Sequence, residues 1–415
     1  MRKNIVIVGG GNSAHVLIPL LSKTDFDISL LTSRPNDWSH TVALEYQNTD
    51  GEVLNVFKGE IKTITDNPLD CIPSADYIIL CMPVHKYREA LHRIAPYVNP
   101  DKQVIIGTVY GQGGFNWMME EVQHKYHLTN LVYFAFGLIP WVCRTKEYGH
   151  TGITYGVKAR NAATVYPREY FAQINKEFFS PICYDWFKTG AVEQLDNFIS
   201  ITLSVDNQII HPSRCFAICQ EYGGKWERIE DVPLFYKDYD AFSAQCLADL
   251  DDDYSKVRNR IKQLYPDKDF HYMLNYIDLE HFTYKSTSSD IVDSFVNSPT
   301  LQAIHTPVIQ DQDGSVEIDK NGRFFMDDIY YGIAIVKWMA ELLLIDVPMI
   351  DKLLHWAQEL RGEQIISEDN RLLLNSLDLV APMKSGVPCV YGKKTINDIV
   401  YGDRKSHSTL IFLHI

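Results

Sequence analysis

A glycine-rich turn near the start of the chain constrains the fold more than any other feature. The segment Ile5–Val8 is a continuous apolar run, and it leads directly into Gly9-Gly10-Gly11-Asn12-Ser13-Ala14. A Gly-x-Gly-x-x-Ala turn between a buried strand and a helix lets backbone N–H groups approach a pyrophosphate at the helix N-terminus. The pattern therefore predicts a dinucleotide-binding domain. Its predicted phosphate-binding residues are Gly9, Gly10, Gly11, Asn12, Ser13 and Ala14.

Apolar runs of strand length alternate with helical patterns through roughly the first 140 residues. This alternation is typical of a doubly wound parallel sheet, and unbroken apolarity suits strands buried on both faces. Between the second and third runs, two alternating stretches flank Thr49-Asp50-Gly51, which predicts a β-hairpin. The predicted strands are Asn4–Gly9, Ile28–Thr32, Tyr77–Met82, Val104–Val109 and Leu131–Phe136.

The second half of the chain has a different pattern. Apolar residues recur at spacings of three and four in Val192–Val205, Asp238–Leu264 and Asp327–Leu344, which predicts helices. A chain of 415 residues, 46% of them hydrophobic, is long enough for two cores. We therefore expect an α/β Rossmann-type domain over residues 1–186 and a mainly helical, all-α substrate and catalytic domain over residues 187–415.

Charge and cysteine content narrow the classes of partner. The formal net charge of -14, without a long run of Lys or Arg, argues against nucleic acid and anionic membrane as partners. Eight scattered cysteines, with no Cys/His cluster at metal-ligand spacing, predict reduced thiols and no metal site. With no long apolar leader or spanning segment in the sequence, we expect a cytoplasmic protein.

The end of the second predicted strand bears on the choice of cofactor. No acidic residue stands there to accept a hydrogen bond from the ribose of NAD, and the strand instead ends in Thr32, Ser33 and Arg34. Two hydroxyls and a guanidinium favour the extra phosphate of NADP(H). The alternative is NAD(H), with Asp37 reaching the ribose and Arg34 on the surface.

Ligands of open α/β sheets bind at the carboxyl ends of the strands, so the residues that follow each strand are candidates. Pro83 follows the third strand and is predicted to lie near the cofactor, and His85 begins the next helix. Gln112 lies in a glycine-rich turn after the fourth strand and is a predicted substrate ligand, or simply part of a turn. Trp141 and Arg144 follow the fifth strand, where Arg144 suits a carboxylate and Trp141 serves either the pocket or the core.

Two positions in the helical half are candidates for proton transfer and carboxylate binding. His211 precedes Pro212, which predicts a break between helices with the imidazole in a loop; a structural role is the alternative. Arg323 can bind a carboxylate in a bidentate fork. Asp327 and Asp328 follow it, and they either cap the helix or orient a catalytic imidazole.

The order of these motifs resembles the octopine and opine dehydrogenase family along nearly the whole chain. The resemblance includes Gly-Gln-x-Gly-Phe at 111–115, Pro-Trp-x-Cys-Arg at 140–144, the His-Pro pair at His211, and Arg323 with its acidic pair. A terminal stretch, Gly386-Val387-Pro388-Cys389-Val390-Tyr391-Gly392, also matches.

The resemblance implies a reaction in which an amino acid and a 2-oxo acid such as pyruvate are joined reductively at the expense of NAD(P)H. It implies that His211 is the acid/base, that Asp328 positions it, and that Arg323 and Gln112 hold the substrates. Partners would then be small molecules, with a homodimer as an open possibility for the assembly.

Two other interpretations stay open from the residues alone. One is a simpler NADP-linked reductase of 2- or 3-oxo acids, similar to ketopantoate or glycerol-3-phosphate dehydrogenases, in which a lysine of the helical domain serves as the acid. The other is a non-catalytic NADP sensor that keeps the cofactor fold. Oxidation of NADPH that requires an amine supports the opine enzyme, and oxidation with the oxo acid alone supports the reductase. No oxidation favours the sensor.

Overall fold

The computed structural model describes residues 2–298, 301, 304–312, 314–374 and 385–402. Its strands are β1 (Lys3–Val8), β2 (Phe26–Leu31), β3 (Thr41–Gln47), β4 (Val53–Glu60), β5 (Thr63–Thr65), β6 (Tyr77–Leu80), β7 (Val104–Thr108), β8 (Leu131–Phe136), β9 (Trp141–Glu147), β10 (Thr151–Val157), β11 (Asn161–Tyr166), β12 (Val192–Leu195), β13 (Lys225–Trp226), β14 (Val308–Gln310) and β15 (Val316–Ile318). They form three sheets, of eight, four and three strands.

The largest sheet runs in the order β12-β11-β8-β7-β6-β1-β2-β5. Strands β1, β2 and β5 to β8 pair in parallel, and β11 joins β8 in antiparallel fashion. All five strands predicted from apolar runs are confirmed, with ends that shift by at most two residues. The predicted Rossmann-type sheet is therefore the frame of the first half of the chain.

A smaller sheet, β4-β3-β10-β9, covers the first helix, Asn12–Leu20, on the side away from the large sheet. The predicted hairpin at Thr49-Asp50-Gly51 is the β3–β4 connection. Packing is close here, since a Cβ on Gly59 would lie 2.3 Å from the Ile18 carbonyl oxygen. The first helix is thus held between two sheets, which fixes the position of its N-terminus.

Helices make up most of the second half. Ala241–Leu264 confirms one prediction, and a continuous helical segment beginning at Arg323 and ending at Leu343, with a wide turn at Ile329–Ile333, confirms another. The main helices of the chain are Asn12–Leu20, Tyr87–Ile94, Phe115–Tyr126, Phe198–Leu203, Asn207–Tyr222, Ala241–Leu264, Tyr276–Tyr284, Ile291–Val296, Arg323–Met326, Ala334–Leu343, Pro348–Arg361 and Ile396–Val400. Shorter helical pieces are Phe171–Ile174, Asn175–Phe179, Ser180–Ile182 and Tyr184–Phe187.

The helix predicted over Val192–Val205 is wrong in its first part. Val192–Leu195 is β12, which pairs in parallel with β11 at the edge of the large sheet, and only Phe198–Leu203 is helical. The apolar spacing of three to four residues spans the end of a strand and the start of a helix, so it imitates one helical face. The large sheet consequently extends beyond residue 186, where we had placed the domain boundary.

The loop predicted at His211 is also wrong. His211 and Pro212 lie inside a helix, Asn207–Tyr222, which we call the His211 helix. Proline removes only the bond that its own N–H would make to the carbonyl four residues earlier. Pro212 is the sixth residue of this helix, and the helix continues through it to Tyr222.

One face of the large sheet shares its core with the helical half. Along β1, Val6 and Val8 belong to a hydrophobic cluster that continues into the second-half helices, whereas Ile5 and Ile7 face the first helix and small sheet. This alternation follows from the two-residue repeat of a strand. Among the described residues, no helix is long and apolar enough to cross a membrane.

Candidate active site

A cleft of about 500 Å³ lies between the carboxyl ends of the large-sheet strands and the helical half. The elements that follow β1, β6 and β7 form one wall, as expected for a doubly wound sheet. Predicted site residues on both walls meet in this cleft: Gly11, Asn12, Ser13, Pro83, Trp141 and Arg144 from the first half, and His211, Arg323 and Asp328 from the second.

His211 and Asp328 form a buried pair at the base of the cleft. The imidazole Nδ1 lies 2.8 Å from Asp328 Oδ2, and the two side chains are only 2% and 5% exposed. The other ring nitrogen, Nε2, lies 3.4 Å from the Tyr236 hydroxyl. The carboxylate thereby fixes one nitrogen and leaves the second for proton exchange with a ligand.

Aromatic packing sets the orientation of the imidazole. The His211 ring stacks on Phe324, with ring centroids 3.5 Å apart and planes 12° apart, and Phe235 meets it edge-on at 5.8 Å. Phe324 lies between Arg323 and the acidic pair, so the same short segment supplies a stacking partner and a carboxylate. The ring cannot rotate away without losing these contacts.

Burial shifts the titration of the pair. It lowers the pKa of His211 well below the ordinary value, and the nearby Arg323 cation acts in the same direction. Burial also raises the pKa of Asp328, as does the adjacent Asp327 carboxylate. Both shifts disfavour net charge, so the pair is most stable as a neutral unit with one proton between carboxylate and imidazole.

Two arginines lie at the cleft. Arg323 lies in the first turn after Gly322 and is exposed, and no carboxylate of the described residues pairs with it. Arg144, on β9, is half-buried and donates to the neighbouring Cys143 carbonyl oxygen at 2.8 Å. Guanidinium groups in this setting are suited to bind carboxylates from a ligand.

The glycine turn has the geometry that a dinucleotide requires. Gly9 has φ +96°, and a Cβ there would lie 2.7 Å from the Cys81 carbonyl oxygen. The first helix begins at Asn12 without a side-chain cap, and Gly11, Asn12 and Ser13 at its start line the cleft. Asn12 itself is anchored, since its Oδ1 accepts from both the backbone N–H and the hydroxyl of Thr145.

The residues at the end of β2 form the far rim of the cofactor region. Thr32 is buried and accepts from the Arg34 N–H at 3.4 Å, while Ser33 is exposed. The Arg34 guanidinium lies 3.8 Å above the Tyr148 ring, with its Nε 3.8 Å from Asp37. The aromatic ring holds the cation at the surface, where a phosphate can reach it.

Gln112 is the predicted ligand that the structure does not bring to the cleft. Its side chain is fully buried, and its amide nitrogen donates to the carbonyl oxygens of Gly137 and Ser204. Its oxygen accepts from the Tyr110 hydroxyl at 2.8 Å, so little of its hydrogen-bonding capacity is left. In this structure Gln112 therefore joins the two halves, and its direct contact with a substrate stays a prediction.

Trp141 has a mainly structural place. Its indole N–H donates to the Ile182 carbonyl oxygen at 2.8 Å, and the side chain is only 2% exposed. One part of the ring still forms a wall of the cleft. Trp141 therefore closes the cleft against the core and offers no free polar group to a ligand.

Asp327 binds the nucleotide-binding half. Its carboxylate accepts from the backbone N–H groups of Val84 and His85, and His85 Nδ1 lies 2.6 Å from Asp327 Oδ1. It caps the short helical turn after Pro83, not its own helix, which begins four residues earlier at Arg323. The acidic pair therefore does not form the predicted N-cap.

Lys158 and Asp206 are cleft residues that the sequence did not predict. Both line the cleft, and Lys158 is only 6% exposed. Lys158 follows β10, a strand that lacks a continuous apolar run. The one sequence signal nearby is Gly149, a glycine in the turn between β9 and β10, where the structure has φ +75°.

Two family models match this chain. Residues 194–361 match the family model described as NAD/NADP octopine/nopaline dehydrogenase, alpha-helical domain. Residues 4–110 match the model described as NADP oxidoreductase coenzyme F420-dependent. The first match includes His211, Arg323 and Asp328, and the second includes the glycine turn.

Relatives match over nearly the whole chain. An opine dehydrogenase of Haliotis discus hannai is 26% identical over 88% of this chain and 92% of that protein. An octopine dehydrogenase of Mizuhopecten yessoensis is 26% identical over 98% of this chain and all of that protein. The fold is similar to that of octopine dehydrogenase solved with NADH and L-arginine, with TM-score 0.80, 22% identity and coverage of 98% and 100%.

Proposed function

The chain belongs to the octopine and opine dehydrogenase family of NAD(P)-dependent oxidoreductases, and we propose that it joins an amino acid to a 2-oxo acid such as pyruvate. The observation that carries the proposal is the buried His211–Asp328 pair, whose imidazole lines the cleft that also contains the glycine turn. A proton donor and a cofactor site thus face the same space.

The reaction places a defined demand on the pair. An amine adds to the carbonyl carbon of the oxo acid, water leaves, and reduction gives a secondary amine, so each turnover consumes one proton and one reduced cofactor. The cofactor supplies the hydride when it is bound. His211 donates a proton from Nε2 to the departing oxygen, and Asp328 stabilises the imidazolium from which it comes.

We assign the oxo acid carboxylate to Arg323, with Arg144 as the second cation of the cleft. Arg323 adjoins the residues that hold the imidazole, and it has no carboxylate partner among the described residues. A carboxylate bound there would direct its neighbouring carbonyl towards His211. Gln112 supports this arrangement indirectly, through the hydrogen bonds that join the two halves.

We propose NADPH as the preferred cofactor, with NADH as the alternative. The support is Arg34, held over Tyr148 at the rim where the 2′-phosphate of NADPH would lie. Arg34→Ala should lower kcat/KM for NADPH by roughly 10- to 100-fold, the usual loss for a charge-assisted hydrogen bond, and leave NADH little changed. An equal loss with both cofactors would contradict the assignment.

A simple oxo acid reductase is the second candidate, because the cleft contains a buried lysine, Lys158. One assay separates it from the first. Oxidation of NADPH is followed with pyruvate alone, and then with pyruvate and each of a panel of amino acids. Oxidation that requires the amine supports amino acid condensation, whereas oxidation with pyruvate alone supports the reductase. A cytoplasmic location and a homodimer stay predictions.

A further inference from the structure

Lys158 differs from the other buried lysines of the described residues. Lys337 has a carboxylate oxygen of Asp351 at 2.5 Å, and Lys393 pairs directly with Glu120. The nearest carboxylate oxygen to Lys158 Nζ is Asp206 Oδ2, at 3.8 Å, which is too far for a hydrogen bond. The closest ring is Tyr284, with its centroid 5.2 Å away. The Lys158 side chain is thus only 6% exposed, and its ammonium makes no hydrogen bond to the described part of the chain.

An ammonium that lines a cleft and has no acceptor among the described residues is suited to bind an anionic group of a ligand. The backbone of Lys158 is fixed, because its N–H donates to the Pro140 carbonyl oxygen at 2.7 Å. The side chain lines both the catalytic cleft and a second cavity of about 640 Å³. An anion at the boundary of the two cavities would satisfy it.

Asp206 lies on the same boundary and is also held in place. Its Oδ1 accepts from the Asn207 N–H at the start of the His211 helix, which leaves Oδ2 facing Lys158. Like Lys158, it lines both the cleft and the second cavity. A cation and an anion about 4 Å apart match the carboxylate and amine of one α-amino acid.

We propose that Lys158 binds the α-carboxylate of the amino acid substrate, that Asp206 accepts hydrogen bonds from its amine, and that its side chain enters the second cavity. The inference rests on the proposed function. The product carries two carboxylates, so the cleft needs two separate cations, and Arg323 takes the other.

The size and lining of the second cavity define the class of amino acid. Its volume of about 640 Å³ is within the range of pockets that enclose drug-sized ligands, far more than a hydrogen or methyl group fills. Val142, Ile210 and Leu279 give it apolar walls, and Tyr276 and Phe295 add aromatic ones. α-Amino acids with long or bulky side chains are therefore the expected substrates, ahead of glycine, alanine and taurine.

The test compares the best amino acid of a full panel with the amine that remains when its carboxylate is removed, at saturating pyruvate and NADPH. For arginine the amine is agmatine, and for leucine it is 3-methylbutylamine. Lys158→Met should lower kcat/KM for the amino acid by roughly 10- to 100-fold, mainly through KM, and leave the amine and the KM for pyruvate nearly unchanged. Lys237→Met, an exposed lysine in the loop after the His211 helix, is the matched control.

Equal losses for the amino acid and the amine, or a rise confined to the KM for pyruvate, would overturn the proposal. A preference of the wild type for glycine, alanine or taurine would overturn the assignment of the second cavity. If Lys158→Met does not fold, Lys158→Gln gives the same comparison with a neutral polar end. Failure of the proposed function gives a different result. The wild type would then oxidise NADPH with pyruvate alone, or would not oxidise it with any amine of the panel.

Discussion

Two adjacent aspartates hold two histidines from opposite halves of the molecule. Asp328 pairs with His211 at 2.8 Å in the helical half, and Asp327 pairs with His85 at 2.6 Å in the nucleotide-binding half. The distances are similar, but the first pair is 2% and 5% exposed and the second is 18% and 11% exposed. The chemistry of each pair depends on what else surrounds it.

The Asp327 carboxylate is occupied by structural contacts. It also accepts from two backbone N–H groups at the start of the helical turn after Pro83. Among the described residues, the Asp328 carboxylate hydrogen bonds only to the His211 imidazole, which lines the cleft. The same residue types therefore give a clamp between the two halves in one case and a proton-transfer pair in the other.

The largest difference between the two pairs is expected when each histidine is replaced by alanine. His211→Ala should lower kcat of the reductive reaction by about 10² or more, the usual size of an acid/base contribution. The dissociation constant for NADPH should stay the same, since the glycine turn is on the other wall of the cleft. His85→Ala is the matched control and should lower kcat much less. Equal kcat values for the two variants would remove His211 from the mechanism.

The pH dependence of kcat/KM should show whether the charge of the Asp328 carboxylate matters, because Asp328→Asn keeps the shape of the side chain and removes its charge. In the intact protein, burial and Arg323 lower the pKa of His211 below the ordinary value. Asp328→Asn also removes the carboxylate that stabilises the imidazolium, so the pKa of His211 should fall further. The imidazole is then protonated only in more acidic solution, so reductive kcat/KM should decline at a lower pH than in the wild type. Activity at neutral pH should fall by about 10- to 100-fold. An unchanged pH profile would contradict a shared proton.

The smallest effect on turnover is expected for Asp327, which joins the two halves of the molecule. Asp327→Asn weakens charge-assisted hydrogen bonds to His85 and to two N–H groups, which should lower the free energy of unfolding by about 1–3 kcal/mol. Chemical unfolding and kcat measured on one preparation test this. The prediction is contradicted if Asp327→Asn keeps full stability and loses as much turnover as Asp328→Asn. The two aspartates would then have the same role.

Local patterns predicted the first half of the molecule well. Continuous apolar runs gave the parallel strands, and the Leu131–Phe136 prediction matches β8 at both ends. The strands β9 and β10 were missed because each alternates with polar residues along an open sheet. Val192–Leu195 was assigned to a helix because three-residue spacing cannot distinguish a short edge strand from one helical face.

The candidate site was predictable where a motif is compact. His211 and Asp328 lie 117 residues apart, and the order of motifs brought them together in the prediction before any geometry. The hydrogen bonds of Gln112 to Gly137 and Ser204 were not predictable, because these partners are 25 and 92 residues away and belong to no motif. Lys158 was missed for the same reason, since its importance follows from burial and not from its neighbours in sequence.

The central claim is that one hydride and one amine meet at the same carbonyl carbon. In the most direct measurement, the enzyme receives pyruvate, the preferred amino acid and NADPH with deuterium at both C4 positions of the nicotinamide. The product is then identified by mass spectrometry. We expect a secondary amine that contains both carbon skeletons and one deuterium on the former carbonyl carbon. Deuterated lactate, with the amino acid recovered unchanged, would contradict the account.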